Sequence, residues 1–138
     1  MIAKYIWEFG SLIFIILGSL HLFYTFFSNK FSSKNAKVVE EMKASSPILT
    51  KETTLWKAWI GFNASHSSGA IFIGIMNFYI INNFYTLVQN EIFFFVFNIL
   101  TVAFYLWLAW RYWFKIPFFG ILLTLICFFT SFALTILS

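Results

Sequence analysis

The chain has little charge for its length. Only 10% of its 138 residues are charged, whereas an average soluble domain carries about 25%. A soluble chain this short buries only about two-thirds of the surface that its unfolded form exposes. Because 61% of the residues are hydrophobic and 24% are aromatic, such a domain would leave a large apolar area in water. The shortage of charge therefore argues against a soluble globular domain and predicts a chain whose solvent is lipid.

Cysteine is nearly absent, and the familiar catalytic motifs are missing. Cys127 is the single cysteine, so the chain cannot form an internal disulfide. The sequence has no HExxH, GxSxG, P-loop or GxGxxG pattern. Only Glu8 and Glu91 are acidic near the apolar stretches, whereas a catalytic zinc site needs three protein ligands. These absences disfavour an enzyme. We also expect no nucleic-acid partner, because no folded domain carries a basic stripe.

Four long apolar stretches are present instead. They run from about residue 6 to 27, 56 to 81, 92 to 112 and 117 to 137. Each is close to the roughly 20 residues that a membrane-spanning helix needs. Pro117 stands where proline favours the start of a helix. The predicted fold is all-α: an integral membrane four-helix bundle that forms a single transmembrane domain over residues 1–138.

Basic residues are concentrated in the first and third loops. Eight lie on the side of the membrane that these two loops share, and only Lys4 lies on the other side; the eight are Lys30, Lys34, Lys37, Lys43, Lys51, Lys57, Arg111 and Lys115. Because an excess of lysine and arginine marks cytoplasmic loops, we expect both termini outside and loop 28–54 in the cytoplasm. Glu8 and Gly10 interrupt the first apolar run, so we expect its helix to be retained rather than cleaved as a signal peptide.

Loop 28–54 is the only sizeable segment outside the predicted spans. Val38, Val39 and Met42 recur in it at helical spacing, which predicts a short amphipathic helix at the membrane interface. A solvated basic loop is the alternative. Thr53 or Thr54 is expected to cap the following helix. Tryptophan and tyrosine cluster at the same predicted side, as interfacial anchors do.

Each predicted span carries small and polar residues on one face. Such residues mark helix contacts in lipid, where no hydrophobic force drives helices together. The predicted inner faces are Ser11, Gly18, His21 and Thr25 in the first helix; Asn63, His66, Ser67, Ala70, Gly74 and Asn77 in the second; Asn98, Thr101, Tyr105, Ala109 and Tyr112 in the third; and Gly120, Thr124, Cys127, Ser131 and Thr135 in the fourth. A second row of small residues, Gly61, Ser65 and Gly69, runs beside the inner face of the second helix.

The two histidines, His21 and His66, both fall inside predicted spans at matched depth. Together with Asn63 they form the predicted polar or ligand site, because such groups are costly in hydrocarbon unless they face other helices. Three interpretations follow: a hydrogen-bonded structural cluster, a bis-imidazole haem b or metal site with His21 and His66 as ligands, and a centre for proton handling or small-molecule chemistry. No catalytic residue is assigned.

These patterns predict a small polytopic protein of a bacterial inner (cytoplasmic) membrane. We expect a structural or accessory component that acts through helix association in the lipid bilayer, as a homo-oligomer or as a subunit of a larger membrane complex. One alternative is a bis-histidine haem-binding electron carrier or anchor. A second is a small transporter-like or enzymatic pocket that uses His66. An absorption spectrum distinguishes the haem protein from the structural one.

Overall fold

The computed structural model describes residues 1–137, which form five α-helices. In chain order these are α1 (Ile2–Phe27), α2 (Ala36–Ala44), α3 (Leu55–Val88), α4 (Ile92–Tyr112) and α5 (Lys115–Leu137). Within this part of the chain, α1, α3, α4 and α5 are long and apolar enough to cross a membrane. The all-helical fold and its four long apolar helices are confirmed. They are consistent with a small multi-pass membrane protein.

The helix ends follow local chemistry. The Asn35 side chain accepts a hydrogen bond from the backbone N–H of Lys37 and so caps α2, the helix predicted within the first loop. The Thr54 hydroxyl accepts from the backbone N–H of Lys57 at 3.3 Å and caps α3, as predicted. Between them, the backbone N–H of Leu55 donates to the Ser45 carbonyl at 2.9 Å, which closes the segment that joins α2 to α3.

Helix α3 is longer than the predicted span. It continues beyond Asn82 and Asn83 to Val88, with non-helical backbone angles at Phe84. The Asn83 side chain donates to the Tyr79 carbonyl at 2.9 Å, so its amide is satisfied by its own helix, and the backbone leaves helical geometry only at the next residue, Phe84. The segment from Leu55 to Asn83, before this break, extends about 43 Å at about 1.5 Å per residue, whereas the hydrocarbon core is about 30 Å thick. At least one end of α3 therefore continues beyond a hydrocarbon core of that thickness.

The chain divides into two compact units. We call Met1–Leu17 with Ala70–Ser138 the large unit, and Gly18–Gly69 the small unit. The large unit contains the first part of α1, the rest of α3 from Ala70 onward, and all of α4 and α5. The small unit contains the end of α1, all of α2 and the beginning of α3.

The large unit has an aromatic core around Trp7, which is fully buried. Its ring stacks on Phe128 with centroids 3.8 Å apart and planes 3° apart, and it meets the edge of Phe95 at 5.0 Å. Gly10 and Gly74 allow close helix contacts beside this core. A Cβ atom on Gly10 would lie 2.9 Å from Cys127 Cβ, and one on Gly74 would lie 2.6 Å from Ile15 Cγ1. These are the close approaches that small residues permit between membrane helices.

The predicted inner faces can be compared with observed burial. Thr124, Cys127 and Ser131 are buried on α5, which confirms the stripe predicted there. The two hydroxyl groups of this stripe also bond to α1. Thr124 Oγ1 donates to the Gly10 carbonyl at 3.2 Å, and Ser131 Oγ donates to the Ala3 carbonyl at 2.7 Å. These bonds pair α1 with α5 along the stripe.

The inner face predicted for α4 is partly wrong. Asn98 and Ala109 are buried as predicted, but Tyr112 is 64% exposed. Tyr112 is the last residue of α4, and its ring lies 5.6 Å from the Arg111 guanidinium carbon. A tyrosine at a helix end turns outward readily, because its polar tip suits the membrane–water boundary.

Candidate functional site

The predicted site residues lie together in the small unit. His21 is on α1, while Asn63 and His66 are on α3. His21 Nε2 and Asn63 Oδ1 are 3.0 Å apart and form a hydrogen bond. The rings of His21 and His66 meet edge to face, with centroids 5.6 Å apart and planes at 71°. All three side chains are partly buried. The structure thus brings together the three residues that the helical spacing selected.

Asn63 is held in one orientation by its own helix. Its Nδ2 donates to the Trp59 carbonyl at 2.8 Å, so its Oδ1 faces His21. Because an amide oxygen can only accept, His21 Nε2 carries the proton of their hydrogen bond. This fixes the tautomer of a neutral His21 and leaves Nδ1 as its acceptor nitrogen.

Phe31 is a neighbour of the site that the sequence did not indicate. Its ring stacks on His21 with centroids 4.3 Å apart and planes 24° apart. It is held there because the Trp59 indole N–H donates to the Phe31 carbonyl at 3.1 Å. Phe31 lies in the loop between α1 and α2, where helical periodicity gives no information about direction. The only signal was an isolated aromatic residue in a polar stretch.

A cavity of about 320 Å³ opens beside this cluster, and its described lining belongs entirely to the small unit. Asn63 belongs to both the cluster and the cavity wall, as does Phe31. Trp56 and Trp59 supply further aromatic wall, and Lys43 supplies the cation among the described lining residues. The Lys43 ammonium lies 5.6 Å from the centroid of the Trp56 ring. The predicted amphipathic helix α2 therefore contributes directly to a cavity.

A second polar network, in the large unit, joins three helices. The Trp7 indole N–H donates to Asn77 Oδ1 at 3.0 Å, and Asn77 Nδ2 donates to Asn98 Oδ1 at 2.6 Å. Asn98 Nδ2 in turn donates to the Phe94 carbonyl at 2.8 Å. The sequence placed Asn77 and Asn98 on inner faces but did not include Trp7. Continuing the row from Ser11 back by one helical turn would have found it.

Glu8 is accounted for by its neighbours in the large unit. Its Oε1 lies 3.8 Å from the Lys4 ammonium one turn away, with a side chain only 12% exposed. Lys4 also donates to the Asn82 carbonyl at 2.8 Å. Glu8 Oε1 makes no hydrogen bond within the described residues, so the Lys4 ammonium is its described partner. Glu8 lies in the large unit, whereas both histidines lie in the small one.

Ligation of a haem iron by His21 through Nε2 conflicts with the hydrogen bond that this nitrogen makes to Asn63. Two axial imidazoles at metal–nitrogen distances of about 2 Å would hold their ring centroids a little over 6 Å apart, close to the 5.6 Å observed. However, His21 Nε2 is engaged by Asn63 and one face of its ring by Phe31. A metal bond at Nε2 would break the Asn63 hydrogen bond. Within residues 1–137, no three His, Cys, Asp or Glu side chains are grouped to hold a metal ion. The geometry suits a hydrogen-bonded cluster.

The chain matches no protein-family model, no curated protein and no solved structure. Its candidate functions therefore depend on the arrangement of its own residues.

Proposed function

We propose that this chain is a small structural or accessory membrane protein that works by helix association in the bilayer. Its partner is a second copy of the chain or a helix of a larger membrane complex. The His21–Asn63–His66 cluster is its polar site within the membrane. It joins α1 to α3 in the small unit, where it fixes the two helices that carry the association surface and the cavity.

The observation that carries this proposal is an outward row of small residues on α3. Gly61, Ser65 and Ser68 are all exposed. Apart from the adjacent backbone of α3, no atom of residues 1–137 lies within 4 Å of the position that a Cβ atom on Gly61 would take. Around them, the exposed surface of the helix is large and apolar, with Phe62 73% exposed and Phe72 64% exposed. Lipid does not require small residues, whereas a second helix does, because its backbone must come close.

The hydroxyls of this row are already satisfied. Ser65 Oγ donates to the Phe62 carbonyl at 3.1 Å, and Ser68 Oγ donates to the Ser65 carbonyl at 3.0 Å. A partner helix could therefore cover both serines without leaving an unpaired donor in an apolar contact. The row has the chemistry of a close helix contact, while no other helix in the described part of the chain comes within 4 Å of a Cβ atom placed on Gly61.

Gly61→Leu is the variant that tests the association. Its side chain would enter open space in the isolated chain, so folding should be unaffected or slightly favoured by the higher helix propensity of leucine. Energy transfer between differently labelled copies in liposomes should fall several-fold if the row binds a second copy. Cross-linking to other membrane proteins in cells should fall in the same way if the partner is a larger complex.

Leu123→Phe on α5 is the matched control, because it adds bulk to another exposed position of a long helix. We expect it to leave energy transfer and cross-linking unchanged. If Gly61→Leu keeps both signals at the level of the unmodified chain, the association surface is not this row and the proposal fails.

A further inference from the structure

The cavity of the small unit has two kinds of wall. Phe26, Phe31 and Trp59 give it an apolar side, whereas Asn29, Ser32 and Lys43 give it a polar side. Its volume of about 320 Å³ is at the lower end of the range for sites that bind small molecules, roughly 300–1,000 Å³. An apolar wall facing a polar one suits an amphipathic ligand more than a fully polar or fully apolar one.

The polar side offers donors that the protein does not use. The side chains of Asn29 and Ser32, and the indole N–H of Trp56, make no hydrogen bond within the described residues. Lys43 forms no ion pair with a carboxylate in that part of the chain. The residues described along the cavity include no aspartate or glutamate. Several residues with unused hydrogen-bond donors, and one lysine without a carboxylate partner, therefore line one space, which is the chemistry that binds an anion.

The position of the cavity indicates where such an anion comes from. Phe26 is the penultimate residue of α1, and Trp59 lies in the second turn of α3, so the cavity stands at the ends of two apolar helices. Headgroups lie at this level of a bilayer. Both side chains remain substantially exposed, Phe26 at 58% and Trp59 at 41%, so the apolar wall is open to acyl chains.

We propose that this cavity binds the headgroup of an anionic phospholipid. The phosphate lies at the Lys43 ammonium, and the Ser32 hydroxyl and the Asn29 amide donate hydrogen bonds to its oxygens. The acyl chains pass along Phe26. Such a lipid would be held between α2 and the ends of α1 and α3, so it would fasten the amphipathic helix to the membrane.

Native mass spectrometry of the full chain in detergent measures bound lipid directly. We expect phosphatidylglycerol to be retained at lower added concentrations than phosphatidylcholine. Lys43→Gln should weaken phosphatidylglycerol retention about five-fold, because a lysine near anionic lipid contributes about 1 kcal/mol. Lys37→Gln is the matched control: it removes the same charge from the same helix, but Lys37 does not line the cavity. It should weaken retention by much less.

A second variant tests the cavity without a change of charge. Ser32→Trp should fill the space and lower phosphatidylglycerol retention while circular dichroism shows unchanged helix content. Equal retention of the two lipids, or equal losses in Lys43→Gln and Lys37→Gln, would overturn the proposal. A third measurement tests for a soluble anion: inorganic phosphate is added to protein reconstituted in phosphatidylcholine alone, and thermal unfolding is followed. If it protects the protein against thermal unfolding through Lys43 while lipid retention shows no preference, the cavity binds a soluble anion and the lipid assignment is wrong.

Discussion

Replacing Asn77 by leucine should destabilise the large unit by about 2–3 kcal/mol. The Asn77 side chain is only 3% exposed, and its amide joins Trp7 on α1 to Asn98 on α4. Leucine has a similar volume but removes both of these bonds. Hydrogen bonds between membrane helices average about 0.6 kcal/mol, so the loss of two of them at that average costs about 1.2 kcal/mol. Counted instead as two groups left buried without these partners, the Trp7 N–H and the Asn98 oxygen cost about 2–6 kcal/mol. Burial of the leucine side chain offsets part of this, which places the expected loss between the two values.

A double-mutant cycle separates this network from general packing effects. Asn98→Leu alone deprives the Asn77 amide of its partner on α4, whereas the double variant removes both amides. The double variant should therefore cost less than the sum of the two single variants, with a coupling of about 0.5–1.5 kcal/mol. Unfolding of the purified chain in mixed micelles by a denaturing detergent, followed by circular dichroism, measures each free energy.

Asn83→Leu is the control for the chemical change itself. Asn83 is exposed, and its amide donates only to the Tyr79 carbonyl of its own helix. This substitution should change the free energy of unfolding by less than about 0.5 kcal/mol. Two results would show that the network does not hold the three helices together. One is a loss of unfolding free energy in Asn77→Leu no larger than in Asn83→Leu; the other is losses in Asn77→Leu and Asn98→Leu that simply add in the double variant.

The other predictions concern close packing, orientation and cofactor content. Gly74→Ala should lower the free energy of unfolding by about 1–3 kcal/mol, because its Cβ would meet another helix, while Gly61→Ala should not lower it; equal losses would contradict the packing. In a background without the native cysteine, a membrane-impermeant thiol reagent added to intact cells should label Asn83→Cys but not Ser33→Cys, and the reverse pattern would invert the predicted orientation. Purified protein should show no Soret band. A Soret band that is lost in His21→Ala would show that the cluster is a haem site and would contradict the hydrogen-bonded interpretation.

Much of the fold follows from the sequence alone. Each long apolar run must form a helix in lipid, because every backbone N–H and C=O group needs a partner within the segment. Periodicity then selects the inner face, which is why Thr124, Cys127 and Ser131 are found buried as predicted. The same periodicity marked His21, Asn63 and His66 as neighbours, since polar groups at matched depth avoid lipid by meeting one another. The first result depends on spacing along one helix, and the second depends also on the matched depth of His21 and His66 in consecutive spans.

The contacts across helices were decided by the tertiary structure. Spacing cannot show which partner an inward residue meets, because this depends on how each helix is rotated and how closely its neighbour approaches. Trp7 thus donates to Asn77, and the unpredicted Phe31 stacks on His21 from a loop without periodicity. The turn of Tyr112 away from the core has the same origin, since a face predicted by spacing no longer applies where the helix ends. Spacing sets which groups lie on one face, but only packing sets which groups touch.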